Sequence, residues 1–180
     1  AAKHLTPVVL ELGGKSPCII DKTANLHIAA KRVAWGKSLN AGQTCIAPDY
    51  LMIHEDVKDQ FLKLLVKEWK HLLTKNPQKA KHFVRIVSDK ALDRLIGYLN
   101  DGTIYHGGHY DKSERFLEPT ILTNVSPDAP VMQEEIFGPI FPVLTFTQLD
   151  EVISFITHRE KPLALYYFGT NEKKILRHTS

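Results

Sequence analysis

The stretch Leu39-Asn40-Ala41-Gly42-Gln43-Thr44-Cys45-Ile46-Ala47-Pro48 stands between a helical pattern and a strand pattern. Upstream, Asn25 is a suitable N-cap, and Leu26, Ala29, Ala30, Val33 and Ala34 keep one face of a helix running to about Leu39. Downstream, Tyr50-Leu51-Met52-Ile53-His54 is an apolar run of strand length. A helix handing over to a strand through small and polar residues predicts one α/β step, with Cys45 on the connecting loop. Gly42 permits a turn that a Cβ would obstruct, and Pro48 forbids continuation of the helix. Small neighbours leave the sulfur reachable, which makes Cys45 a candidate nucleophile. A buried cysteine acting as a small hydrophobe is the other reading, and the commoner fate of cysteines.

The same alternation continues on both sides. Val8-Val9-Leu10-Glu11-Leu12 reads as a strand running into the Gly13-Gly14 turn, and Ser16 to Asp21 as a buried strand holding Cys18 in the core without a chemical role. Asp56 is placed to cap a helix through about Leu73, with Val57, Phe61, Leu64, Leu65 and Leu72 inward and Asn76-Pro77 as its stop. Ser88 to Asn100 carries Leu92, Leu95, Ile96 and Leu99 at helical spacing. Thr103 to His106, Phe116 to Val125 interrupted by Pro119, Ile140 to Phe146 and Leu163 to Phe168 read as extended. Thr147 with Asp150 resembles a capping box ahead of Leu149, Val152, Ile153 and Ile156, and Asn171 caps a last helix. Strands alternating with helices predict an α/β domain on an open, largely parallel sheet flanked by helices.

Bulk properties narrow the function classes. The 180 residues, 43% hydrophobic and 24% charged, are enough for a sizeable core. The net charge of +3 is scattered, and the Lys75 to Lys81 cluster is broken by Pro77, so it reads as a solvated face and no nucleic-acid partner is expected. Two cysteines do not make a disulfide scaffold and suit reduced thiols inside a cell. No apolar run approaches the ~20 residues of a membrane helix, and no signal peptide opens the chain. The expectation is a cytoplasmic protein with no membrane partner. Ala1 to Pro7 leads into a strand with nothing before it, and Asn171 to Ser180 starts a helix without a stop signal, as in a piece of a longer chain.

Chemistry-bearing groups are few. Glu11 is a carboxylate within an apolar run, a setting that suits a general base, although composition alone favours a strand-end carboxylate bonded to the Gly13-Gly14 turn. Glu134-Glu135 ahead of Ile136-Phe137-Gly138-Pro139 could meet a polar ligand, or form an exposed acidic turn. His106-Gly107-Gly108-His109 lacks a third ligand, so no metal site is assigned. No Gly-x-Gly-x-x-Gly or phosphate loop is present.

Taken together, these groups resemble the aldehyde dehydrogenase superfamily. Leu10-Glu11-Leu12-Gly13-Gly14-Lys15-Ser16-Pro17 is similar to its glutamate signature, and Gly42-Gln43-Thr44-Cys45 to its cysteine signature. Glu134 to Pro139 is similar to a third motif and Lys161-Pro162-Leu163-Ala164-Leu165-Tyr166 to a fourth. Ala47-Pro48-Asp49-Tyr50 and Pro130-Val131-Met132-Gln133 lean towards the class 3 branch, which takes fatty and aromatic aldehydes. The resemblance implies that Cys45 attacks an aldehyde as thiolate and that hydride passes to NAD or NADP. Glu11 then activates water to hydrolyse the thioester. It further implies that Leu12 and Gly13 border the cofactor, that Glu135 holds its ribose and that Phe137 packs near the nicotinamide. Residues 1–12 would be the end of a cofactor-binding domain and 13–180 a catalytic domain. The full-length parent would be a homodimer acting on a small-molecule aldehyde. With most of the cofactor domain missing, the 180 residues alone are expected to be inactive. Three rival readings stay open: a CoA-acylating enzyme, a non-catalytic folding or interaction unit, and a cysteine hydrolase. Glu11 argues against the first, and the third lacks a histidine in a matching motif.

Overall fold

The computed structural model describes residues 2–179. Its centre is a six-stranded sheet of order β3-β6-β7-β2-β1-β8. The strands are β1 (Pro17–Ile20), β2 (Tyr50–His54), β3 (Thr103–His106), β6 (Thr120–Thr123), β7 (Ile140–Phe146) and β8 (Tyr166–Phe168). Every neighbour pair is parallel except β3 with β6. Two short strands, β4 (Tyr110–Asp111) and β5 (Phe116–Leu117), form a separate antiparallel hairpin that the sequence did not announce.

Among the described residues, five α-helices flank the sheet: α1 (Leu26–Ser38), α2 (Lys58–Leu73), α3 (Asp89–Tyr98), α4 (Leu149–Thr157) and α5 (Glu172–Thr179). Trp69 of α2 stacks on Phe141 of β7, while Phe155 of α4 meets Tyr50 of β2 edge-on. Leu51 pairs with Val143 in register, so Tyr50 and Phe141 project from opposite faces. The sheet is therefore covered on both sides. That is why β1 and β2 are buried throughout and read as continuous apolar runs rather than alternating ones. The open, largely parallel α/β sheet expected from the sequence is the fold observed.

Five local expectations are corrected. Residues 8–12 are not a strand. Val8, Val9, Leu10 and Leu12 are 57–85% exposed, and among the described residues no neighbouring strand takes up their backbone groups. The inward stripe of α2 runs through Phe61, Leu62, Leu65, Trp69 and Leu73, with Val57, Leu64 and Leu72 only partly buried. Trp69 sets that rotation by donating its indole N–H to the Ala34 carbonyl of α1 at 3.2 Å. Asp56 sits inside a short 3-10 turn, Glu55–Val57, rather than at the cap of α2. The capping box of α4 lies one residue later than expected, formed by Gln148 and Glu151. The strand expected from Leu163 is confined to its last three residues, Tyr166–Phe168.

Candidate active site

Three parallel strands are each entered from one of the sequence motifs. Gly13-Gly14-Lys15 leads into β1, the Cys45 loop into β2, and Glu134 to Pro139 into β7. Lys161 to Leu165 leads into β8, which Tyr166 opens. The candidate site therefore lies at the amino ends of the strands, whereas open α/β sheets ordinarily bind ligands beyond their carboxyl ends.

Cys45 is exposed, as a reachable nucleophile must be. Its loop is rigidly built. Asn40, Ala41 and Gly42 are successive left-handed residues, with φ of 50°, 53° and 72°. A Cβ on Gly42 would come within 2.8 Å of the Gly138 carbonyl carbon, so this glycine brings the cysteine loop against the third motif. Gln43 ties the loop outward. Its amide donates to the Asn40 and Arg85 carbonyls at 3.0 and 3.2 Å and accepts from the Val87 N–H at 2.9 Å. On the other side, the Tyr166 hydroxyl donates to the Ile46 carbonyl, the residue after Cys45. Burial raises the Tyr166 phenol, with the Cys18 and Cys45 sulfurs adding to the effect.

Lys15 and Asp49 lie beneath these motifs. The Lys15 ammonium donates to Asp49 Oδ2 at 2.5 Å and to the Val131 and Glu134 carbonyls at 2.7 and 2.9 Å. The other oxygen of Asp49 accepts from the Ile136 N–H at 2.9 Å. One ion pair thus joins the approaches to β1, β2 and β7. Burial lowers the Lys15 pKa, and Asp49 works against that shift. Arg94 of α3 holds the third motif from outside, donating to the Glu135 and Ile136 carbonyls at 3.2 and 2.7 Å. Phe137, 39% exposed, follows in a left-handed conformation at φ 51° that a bulky residue adopts only when its surroundings impose it.

Glu135 is half-buried against the first motif. A Cβ on Gly13 would lie 2.7 Å from Glu135 Oε1, so only glycine leaves room for the carboxylate there. Burial raises the Glu135 pKa, opposed by a hydrogen bond from the Gly14 backbone. Gly13, Gly14, Lys15, Glu135, Arg159 and Lys161 border a cleft of about 540 Å³. A polar ligand could enter that cleft beside the Glu135 carboxylate.

The structure brings Gly13 and Glu135 together and sets the Cys45 loop against Gly138 and Tyr166. It does not join Glu11 to them. Glu11 is exposed on the irregular stretch before Gly13, outside any apolar strand, and forms no hydrogen bond or ion pair among the described residues. Leu12 beside it is 69% exposed. Cys18 is fully buried, as expected, and burial pushes its thiol up. His106 and His109 turn to different rings, Trp69 and Phe116, and among the described residues no three metal-ligating side chains converge.

Sequence reasoning gave no role to Lys15, Lys37, Gln43, Asp49, Arg94 or Tyr166. One of them carried a legible signal. Leu26, Ala30 and Val33 extend by helical spacing to Lys37, which is 1% exposed. Its ammonium donates to the Pro48 carbonyl at 2.9 Å, and burial lowers its pKa to about 8.

The model of the aldehyde dehydrogenase family matches residues 1–180. The chain is 49% identical over 175 residues to the rat aldehyde dehydrogenase, dimeric NADP-preferring, covering 97% of this chain and 39% of that protein. It is 49% identical over 177 residues to mouse aldehyde dehydrogenase family 3 member A2, covering 98% and 37%. Among solved structures, the substrate-bound state of Staphylococcus aureus AldH superposes with a TM-score of 0.95 at 46% identity, covering 99% of this chain and 40% of that one. The chain thus spans about two fifths of the length of the relatives it matches. With a family model spanning its whole length and class 3 relatives at nearly half identity, this chain belongs to the aldehyde dehydrogenase family.

Proposed function

We propose that this chain, within a polypeptide of its relatives' length, carries the reacting cysteine of an NAD(P)-dependent oxidation of aldehydes to carboxylic acids. The observation that carries the reading is the convergence described above: motifs far apart in sequence meet at one edge of the sheet, around an exposed thiol. In this reading Cys45 Sγ, as thiolate, adds to the aldehyde carbon and forms a thiohemiacetal. The Cys45 backbone N–H is a candidate donor to its oxyanion. Loss of hydride leaves a thioester on Cys45. The base is assigned to Glu11 on its motif alone, since the structure leaves it exposed and apart from the Cys45 loop: it takes a proton from water, the resulting hydroxide displaces the thiolate, and the acid departs.

The residues present fit the cofactor that such chemistry needs. NAD(P)⁺, when bound, supplies the hydride acceptor. Glu135 would hold its ribose from the cleft it shares with Gly13, and the exposed Leu12 and Phe137, which do not line that cleft, would border the cofactor outside it. Residues 1–12 then close a cofactor-binding domain and residues 13–180 belong to the catalytic domain. The rat relative's dimeric description supports a homodimer for the full-length protein. A cytoplasmic location is part of the same reading, and no helix among the described residues is long and apolar enough to cross a membrane.

The test is made in a polypeptide of the relatives' length. Cys45→Ala abolishes aldehyde-dependent NAD(P)H formation, and Glu11→Gln accumulates acyl-enzyme detectable by mass. Turnover retained in Cys45→Ala overturns the reading. Free acid rather than acyl-CoA as product separates hydrolysis from transfer to CoA. The 180 residues alone are expected to form no NAD(P)H at enzyme-like rates.

A further inference from the structure

One side chain touches both ends of the loop that carries Cys45. The Lys37 ammonium donates to the Pro48 carbonyl at 2.9 Å, and its Cδ lies 3.3 Å from where a Cβ on Gly42 would stand. Gly42 and Pro48 begin and end that loop, with Cys45 midway between them. The ammonium also sits 4.7 Å from the centroid of Phe141, near the start of β7, where the third motif ends. Lys37 joins no ion pair among the described residues, although it is almost completely buried. A buried ammonium without a direct carboxylate partner costs stability, and an apolar side chain of similar volume would ordinarily serve the core as well or better. Core packing therefore does not account for a lysine here.

We propose that Lys37 is a positioning residue for Cys45, its charged donor bond to Pro48 and its alkyl chain beneath Gly42 pinning both ends of the loop. The inference rests on the reading of Cys45 as the nucleophile. The groups acting on the ammonium are Asp49 and Glu135, which favour its charge, Lys15, which opposes it, and the Cys18 thiol on β1. Burial outweighs them and lowers the Lys37 pKa to about 8. A charged donor bonds roughly twice as strongly as a neutral one. The hold on the loop therefore weakens as pH rises through that value.

The experiment measures kcat and aldehyde KM across roughly pH 6 to 10 for the protein at its relatives' length and for Lys37→Met and Lys37→Arg, a range that brackets the lysine titration. Lys37→Met is expected to lower kcat about tenfold with KM within about twofold, the signature of a misplaced nucleophile rather than lost binding. The decline in kcat near pH 8 expected of the wild type disappears in Lys37→Met, which has nothing to titrate. Unchanged kcat in the methionine variant, or a lowered kcat with the decline intact, overturns the proposal. Should the methionine variant fail to fold, Lys37→Arg decides the matter. Arginine stays charged throughout this range, so persistence of the decline in that variant removes Lys37 as its source. Cys45→Ala is run in parallel. Activity there defeats the nucleophile reading itself, whereas loss there with a normal Lys37→Met defeats only the positioning role.

Discussion

At the amino edge of the parallel sheet, buried polar side chains reach across the chain; at the carboxyl edge, polar bonds are either local or made mostly by exposed groups. Lys15 bonds partners 34, 116 and 119 residues away, and Gln43 bonds partners 42 and 44 residues away. Beyond the carboxyl ends of the strands, Thr23 bonds Asp21, the Asp56 N–H bonds His54, and Thr147 bonds Glu151, spans of two to four residues. The longer reaches there are made mostly by exposed groups, the Thr170 N–H to Thr23, Asn124 to Thr103 and Lys174 to Asp150, with the half-buried Tyr167 reaching back to Asp21. Both edges are polar, so polarity alone does not distinguish a site from a set of turns. The difference lies in how the polar groups are spent. Local bonds close helices and turns, whereas buried long-range bonds fasten separate motifs into one surface, and burial at that edge lowers the pKa of Lys15 and Lys37.

The sharpest way to break this contrast is Lys15→Met. The variant leaves the Asp49 carboxylate, 4% exposed, without its cation and the Val131 and Glu134 carbonyls without a donor. Removing one partner of a buried pair costs about 3–5 kcal/mol, which urea unfolding would read directly. A loss of less than ~1 kcal/mol, the worth of an exposed ion pair, would mean that the amino edge is no more tightly joined than the surface.

Lys37 sharpens the contrast with a pH signature. Its folded pKa, about 8, lies below the 10.5 of an ordinary lysine. Between those values the unfolded chain binds more protons than the folded one, so neutralising Lys37 makes stability rise with pH across that window. Lys37→Met lacks this contribution. Its stability relative to wild type is therefore greatest below pH 8 and declines by roughly 3 kcal/mol as pH reaches 10.5. Comparing the two proteins cancels the similar contribution of Lys15. Activity and stability respond in opposite directions here: raising the pH relieves the fold and slackens the Cys45 loop.

The same division explains what the sequence made legible. The apolar runs of β1, β2 and β7 and the stripe of α1 follow from local periodicity, and each stands where the pattern put it. The stretch from Val8 to Leu12 has strand-like composition, but a strand is defined by its partner, and composition cannot supply one. In the site, the exposed Cys45 loop was legible because glycine, proline and small residues announce a turn. Lys37 lay on the buried face of α1, yet its residue type argues for solvent, and the carbonyl that receives it belongs to Pro48. Asp49 and Arg94 were invisible for a related reason. Each acts on backbone atoms of the Glu135-Ile136 segment, dozens of residues distant, and backbone atoms leave no residue-specific trace.

The smallest expected effect comes from the carboxyl edge. Glu151 accepts from the Thr147 hydroxyl at 2.6 Å and from the Gln148 N–H at 2.9 Å, closing the first turn of α4. These bonds lower its carboxyl pKa, the hydroxyl bond most. Stability from Glu151 is then present above the ordinary carboxylate range and lost as pH falls through the depressed folded value, where the group protonates. Because the side chain is exposed and its partners are local, Glu151→Ala lowers the melting temperature at neutral pH by no more than about 2–4 °C. That deficit vanishes in acid, and aldehyde oxidation by the full-length protein is unchanged. A loss of activity in this variant would mean that the carboxyl edge is coupled to the Cys45 loop, and the division between the two edges would fail.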